Sequence, residues 1–186
     1  MKGPYALSKE VKNHLAAGFL IALAGLAWPL PGDAATPKDI KIGIHVIDFV
    51  TNPPADHNSI AVVFDGRVKE SAEDAQVIFD ALNATLPAKA TSPKPLMVDI
   101  RDLDEAVPHR LVIVAERMKP YYDKLSEYGR HTGSIIMSTD LDCARSAKCT
   151  VGIASSPRVE ILVSTKQAQS SGIQFSEAFR MMVTEY

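Results

Sequence analysis

The residues with the clearest chemical potential are two cysteines, Cys143 and Cys149, the only two in the chain. Such a pair closes a short loop as a disulfide in an oxidising compartment. The alternative is a thiolate acting as a nucleophile or redox centre, which needs a base that the sequence does not place. A second set of side chains follows short apolar runs: Asp65-Gly66-Arg67, Arg101-Asp102, Glu116-Arg117 and Ser138-Thr139-Asp140. Ligands of open α/β sheets bind outside the carboxyl ends of the strands. Asp65, Arg67, Arg101, Arg117, Thr139 and Asp140 therefore form a candidate ligand crevice; the plain alternative is that strand-end loops are polar in any such fold. Asp140 and Asp142 flank Leu141 without the companion ligands a divalent cation requires, so a helix cap or Asx turn is the simpler use. His45, His57, His109 and His131 are scattered, with no two-histidine metal spacing. There is no G-x-S-x-G elbow, phosphate loop or dinucleotide glycine fingerprint. No catalytic, metal or cofactor residue is assigned.

These side chains need elements to hold them. Ile135–Met137 reads as a strand leading into the cysteine-closed loop. Thr150–Ile153 and Arg158–Val163, separated by Ala154-Ser155-Ser156-Pro157, read as a hairpin. Ile60–Phe64 and Leu111–Ala115 are continuous apolar runs, as in strands buried on both faces, and Leu96–Ile100 is a further strand. Between them lies a helix capped by Ser71 with Asp74 as its capping-box partner, carrying a buried stripe of Ala75, Ile78, Phe79, Leu82 and Leu86 and stopped by Pro87. The spacing also predicts a helical turn over Leu103–Val107. A helix starting near Pro120 carries Tyr121, Leu125 and Tyr128 on one face and ends at Gly129. Thr165–Ser171 and Ser176–Thr184 close the chain as helices, the latter with Phe179, Met182 and Val183 inward. Met181, Met182 and Tyr186 read as helical core rather than as an adaptable interface. Residues 40–50 fit a strand and a helical face equally well, and Asn52-Pro53-Pro54 ends that segment. Strand–helix alternation gives an α/β fold: one three-layer domain with a mainly parallel sheet and a C-terminal antiparallel hairpin at one edge.

The chain has 186 residues, 46% of them hydrophobic, and a net charge of -2. That supports one sizeable core and no clustered basic surface, which excludes nucleic acid as a partner. Lys2, Lys9 and Lys12 precede an apolar run, Leu15–Leu26, that is short for a membrane span. Pro29 and Pro31 end it, and Gly32-Asp33-Ala34-Ala35 offers small residues for cleavage after Ala34 or Ala35. Residues 1–34 thus read as a signal peptide and 35–186 as the mature domain, located in the periplasm. An uncleaved anchor is the rival. Asn83-Ala84-Thr85 matches a glycosylation sequon within a predicted helix.

The order of elements in the last third resembles the YfiR-like family of periplasmic proteins. An apolar strand leads to Ser138-Thr139-Asp140 and the Cys143/Cys149 loop. Val151-Gly152-Ile153 and Arg158–Val163 follow, then a helix with Ala168 and Gly172 ahead of an amphipathic end. The resemblance spans about Ile40 to Tyr186. Thr51-Asn52-Pro53-Pro54 departs from it, lacking the family's aromatic before proline, and a second cysteine pair found in some members is missing. The resemblance implies a non-enzymatic regulator that binds the periplasmic sensor domain of an inner-membrane diguanylate cyclase, and so controls cyclic-di-GMP signalling. It also implies a disulfide between Cys143 and Cys149 whose redox state influences activity. A homodimer is a further assembly left open. The rival functions are a periplasmic small-solute-binding protein, favoured by the strand-end crevice, and a hydrolase or redox enzyme, motivated only by Cys143 and the acidic residues.

Overall fold

Strand residues alternate between two apolar layers, and that alternation defines the architecture. The computed structural model describes residues 34–52, 58–89, 91–105 and 107–186. The leader up to Asp33, the Pro53-Pro54 stop and His57 lie outside the described residues. Those described fall in one compact unit, Pro31–Tyr186. The elements run α1 (Pro37–Val46), β1 (Ser59–Phe64), α2 (Lys69–Thr85), β2 (Lys94–Asp99), β3 (Leu111–Val114), α3 (Tyr122–Thr132), β4 (Ile135–Ser138), α4 (Leu141–Arg145), β5 (Val151–Ala154), β6 (Glu160–Val163), α5 (Thr165–Ser170), α6 (Glu177–Arg180) and β7 (Thr184–Glu185).

Among the described residues the strands form one seven-stranded sheet in the order β2-β1-β3-β4-β5-β6-β7. Pairing is parallel from β2 through β5. The expected antiparallel hairpin is β5–β6, and the two-residue β7 lies outside it, parallel to β6. Ile60, Val62, Leu111, Ile113, Ile135 and Met137 face α1 and α2, against Ile40, Val46, Ile78 and Leu82. Their neighbours Ala61, Val63, Val112, Val114 and Ile136 face the other way, onto Met118, Tyr122, Leu125, Tyr128 and both cysteines. Two buried faces explain why these strands are continuously apolar.

Several boundaries differ from the sequence expectations, each because of a specific contact. Residues 37–46 are helical. Thr36 and Asp39 form a reciprocal capping box with Pro37 in the first turn, which outweighs the β preference of the isoleucines. The same helix sits close on the sheet: a Cβ at Gly43 would stand 2.2 Å from the Met137 sulfur. Helix α2 starts at Lys69, before Ser71, with no side-chain cap. Ser71 Oγ instead accepts from the Asp65 amide at 3.1 Å, and Asp74 points away to other partners. The stretch after β2 makes turns rather than a helix, one of them closed by Val107 N–H to Asp104 O at 3.1 Å. Helix α3 runs through Gly129 to Thr132, and its cap is Gly133 at φ 69°. Its inward face is Tyr122, Leu125 and Tyr128, with Tyr121 at the polar end. The cysteine loop holds a short helix, α4. The last helix is only Glu177–Arg180, because the chain beyond it pairs with β6; Phe179 is buried, whereas Met181 and Met182 are 79% and 66% exposed.

Candidate functional site

The carboxyl ends of the first four strands carry two polar groups of residues, not one crevice. The split lies between two neighbouring strands, β1 and β3, and follows from which side chains pair: Asp65 and Asp99 each close on an arginine two residues on, whereas the ends of β3 and β4 face an open crevice.

The first group sits over β1 and β2. Asp65 Oδ1 accepts from Arg67 N at 3.0 Å and Nε at 2.9 Å, and its Oδ2 from Arg67 Nη2 at 2.9 Å. The Tyr121 hydroxyl also donates to Asp65 Oδ2, at 2.6 Å. Asp99 repeats the arrangement. It accepts from Arg101 N, Nε and Nη2 at 2.9, 2.8 and 2.7 Å, and from the Gly66 amide at 3.0 Å. A Cβ at Gly66 would meet Asp99 Oδ2 at 2.6 Å, so any larger residue there would push the Asp99 carboxylate aside. The sequence signal for this repeat is Asp-x-Arg at two successive strand ends, and Asp99 is the member that strand-end reasoning missed. Hydrogen bonds from the guanidinium groups hold both carboxyls well below the usual carboxylate range, and the same pairs raise Arg67 and Arg101. Each arginine is already engaged bidentately by its own carboxylate, which leaves it poorly suited to an anionic ligand.

The depressed carboxyls predict an acid response. Their contribution to stability is present above the ordinary aspartate value, 3.8, and is lost as pH falls through their folded values. By carboxyl-carbon NMR, Asp65 and Asp99 are expected to protonate last among the aspartates. Arg67→Ala should move Asp65 upward and Arg101→Ala should move Asp99. Titration of both alongside exposed aspartates in the wild type would contradict the pairing.

The second group lines a crevice of about 270 Å³ between the ends of β3 and β4. Its walls include Glu116, Arg117, Lys119, Tyr122, Ser138, Asp140 and Asp142. Arg117 and Asp140 are thus brought together as expected. Asp65, Arg67 and Arg101 belong to the neighbouring group, and Thr139 does not line the crevice. Asp140 is the N-cap of α4: its Oδ1 accepts from the Asp142 amide at 2.9 Å, and its Oδ2 from the Tyr122 hydroxyl at 2.7 Å. Asp140 therefore serves as the cap, while Asp142 Oδ1 accepts from Arg145 Nη1 at 3.1 Å, and no group of three or more metal-ligating side chains occurs among the described residues. Cys143, on the buried face of α4, and Cys149 form a disulfide, and both are fully buried. Ser138 Oγ accepts from the Asp140 amide at 3.1 Å. A serine–histidine contact exists elsewhere, Ser59 Oγ to His109 Nδ1 at 2.7 Å, at the opposite ends of the strands. The crevice thus offers two cations beside three carboxylates, a lining suited to holding a small polar solute.

Arg117 holds a left-handed backbone, φ 63°, at the crevice wall. A non-glycine residue there carries strain of about 1–2 kcal/mol. Arg117→Gly is expected to hold stability constant or raise it by up to about 1 kcal/mol, while Arg117→Val lowers it by about 1–2 kcal/mol because β-branching is incompatible with positive φ. Urea denaturation of the two variants checks the order.

Compared with known proteins, the chain matches no family model, and no curated protein matches it at a significant level. Among the described residues no helix is long and apolar enough to cross a membrane.

Proposed function

We propose that this chain is an exported, non-enzymatic regulator of the YfiR-like kind, which binds the periplasmic sensor domain of an inner-membrane diguanylate cyclase. The observation that carries the reading is the disulfide-clamped helix α4, held between β4 and β5 ahead of the β5–β6 hairpin. This is the order of elements on which the resemblance rests. A disulfide fits export, because oxidising compartments preserve it. The polar groups over β1 and β2 satisfy one another, which suits a scaffold that binds rather than one that turns over substrate. The test is a crosslinking pull-down of the tagged, exported protein from cells that make it. Recovery of an inner-membrane protein with a cyclase output domain supports the regulator; its absence despite good export counts against it.

One observation favours a second reading. The crevice over β3 and β4 combines Arg117 and Lys119 with Glu116, Asp140 and Asp142, and Arg117 keeps a strained backbone there. Strain of this kind gathers at ligand sites. A small-solute-binding protein would show a ligand-dependent rise in melting temperature, since binding to the native state alone stabilises it. Arg117→Gly would abolish that rise while leaving the fold intact.

A further inference from the structure

The backbone amide of Ala35 points at a buried carboxylate. Ala35 N–H donates to Asp74 Oδ1 at 2.9 Å, and Asp74 Oδ2 accepts from the Glu116 amide at 2.8 Å. Asp74 is 6% exposed, and no cation pairs with it among the described residues. Burial pushes its carboxyl up to about 6, so in this form the site is short of positive charge. The surroundings deepen the deficit. Ala34 and Ala35 border an open surface cavity of about 270 Å³ whose other charged walls are Glu116 and the exposed Glu70 and Glu73. Of these, Glu73 has Lys69 at 3.2 Å and Glu116 has only a loose contact to Arg117 at 3.9 Å. On α1, Asp39 is buried, and its Oδ1 has no hydrogen-bond partner among the described residues. Lys38 is turned to Ser155 O at 3.3 Å. A buried carboxylate without a counter-charge is costly.

The sequence supplies a means of making that charge. Gly32 and Ala34 are small residues at the third and first positions before the Ala34–Ala35 bond, the pattern a signal peptidase reads. We propose that the leader is removed between Ala34 and Ala35, and that the α-ammonium released on Ala35 becomes the buried counter-ion of Asp74, locking the mature fold. Hydrolysis of that one peptide bond leaves a carboxylate on Ala34, which departs with the leader, and an amine on Ala35, which takes up a proton. One amide donor becomes three ammonium donors, facing Asp74 and the acidic cavity. Cleavage one bond later would place Asp33 at the third position and would delete Ala35, which is buried in the core and supplies the bond to Asp74. The inference rests on the export reading above.

The pH signature has a definite sign. While Ala35 remains acylated, Asp74 has a folded value above its unfolded one. Its contribution is favourable below 3.8 and is lost as pH rises through about 6. Opposite an ammonium, Asp74 stays charged and paired across that window. The stabilisation is then lost only as pH rises past the ordinary α-amino range, about 7.7–8.0, through the raised folded value of the amine.

The test uses the full chain exported by a Gram-negative host. Intact mass of the exported protein should correspond to a chain beginning at Ala35. A glycine inserted between Ala34 and Ala35 keeps the cleavage pattern but moves the amine one residue away, about 3.8 Å along the chain. That insertion and Asp74→Asn are each expected to lower the melting temperature at pH 7 by about 4 °C or more. The double variant should be little worse than either alone, and only the insertion variant should lose stability between pH 4 and 6. Additive effects, or a mature start other than Ala35, would overturn the proposal while leaving export intact. A retained leader would overturn the proposal, and absence of the protein from the periplasm would overturn the export reading as well.

Discussion

Ile136→Ala is expected to remove about 2–5 kcal/mol of stability, and Gly129→Ala, harmful on its own, should become neutral in that background. Ile136 is fully buried in β4, on the face that meets α3. Truncation loses transfer free energy and leaves a cavity that a rigid sheet closes only in part. The helix lies close at this point because it carries glycine. A Cβ at Gly129 would stand 2.9 Å from Ile136 Cγ1 and 3.3 Å from the Ser134 carbonyl. In the wild type the added methyl overpacks, at about 1–3 kcal/mol, against about 1 kcal/mol gained in helix propensity. With Ile136 shortened, the worst contact is gone and the propensity gain remains. Urea denaturation of the four proteins should therefore give a coupling of about 1 kcal/mol or more. A cycle that closes additively would mean that α3 and β4 are not held at this distance.

The same contact shows what the sequence makes legible and what it does not. Ile60–Phe64, Leu111–Ala115 and Ile135–Met137 are readable as strands because burial on both faces leaves no polar alternation to confuse. Gly129 is not readable: as a local signal it marks a helix end, and only the close packing on Ile136, a tertiary fact, accounts for a glycine inside the helix, whose end is Gly133. The α1 segment shows a second kind of loss. Its isoleucines suit either state, and the decision lies in Thr36 and Asp39, a capping box readable in the sequence but set in what looks like a linker. At the candidate site, placement at strand ends follows from fold class. Grouping does not follow from strand order, which sets Asp65 beside Glu116 as well as near Asp99; it follows from the side-chain pairs that close over β1 and β2. The Asp-x-Arg spacing announces the two internal pairs. Asp74 illustrates the limit, because its position invites a capping role, yet its partners are 39 and 42 residues away.

Cys143→Ala/Cys149→Ala should lower stability by about 3 kcal/mol and loosen the crevice along with it. A sequence separation of 6 is a small loop, and closing it restricts the unfolded chain by about 2 kcal/mol. Loss of two fully buried sulfurs from the face shared with Met118 and Leu125 adds about 1 kcal/mol. At about 2–4 °C per kcal/mol for a chain of this size, the melting temperature should fall by roughly 6–12 °C. The effect should reach the crevice, because α4 presents Asp140 to Tyr122 and Asp142 to the lining. Burial also decides what the bond can do in signalling. Exchange requires a thiolate to reach a sulfur. With both cysteines at 0% exposure, attack must wait for α4 to open. Reduction followed by thiol labelling should be slow in native buffer and accelerate with urea in step with unfolding, and partner capture should be the same with and without mild reductant. Rapid reduction with the fold retained would instead make Cys143–Cys149 an accessible switch, and the redox dependence that the family resemblance implies would then reside in this bond. Slow reduction makes it a clamp, and any control by the chain must act through the surfaces that α4 and the crevice present.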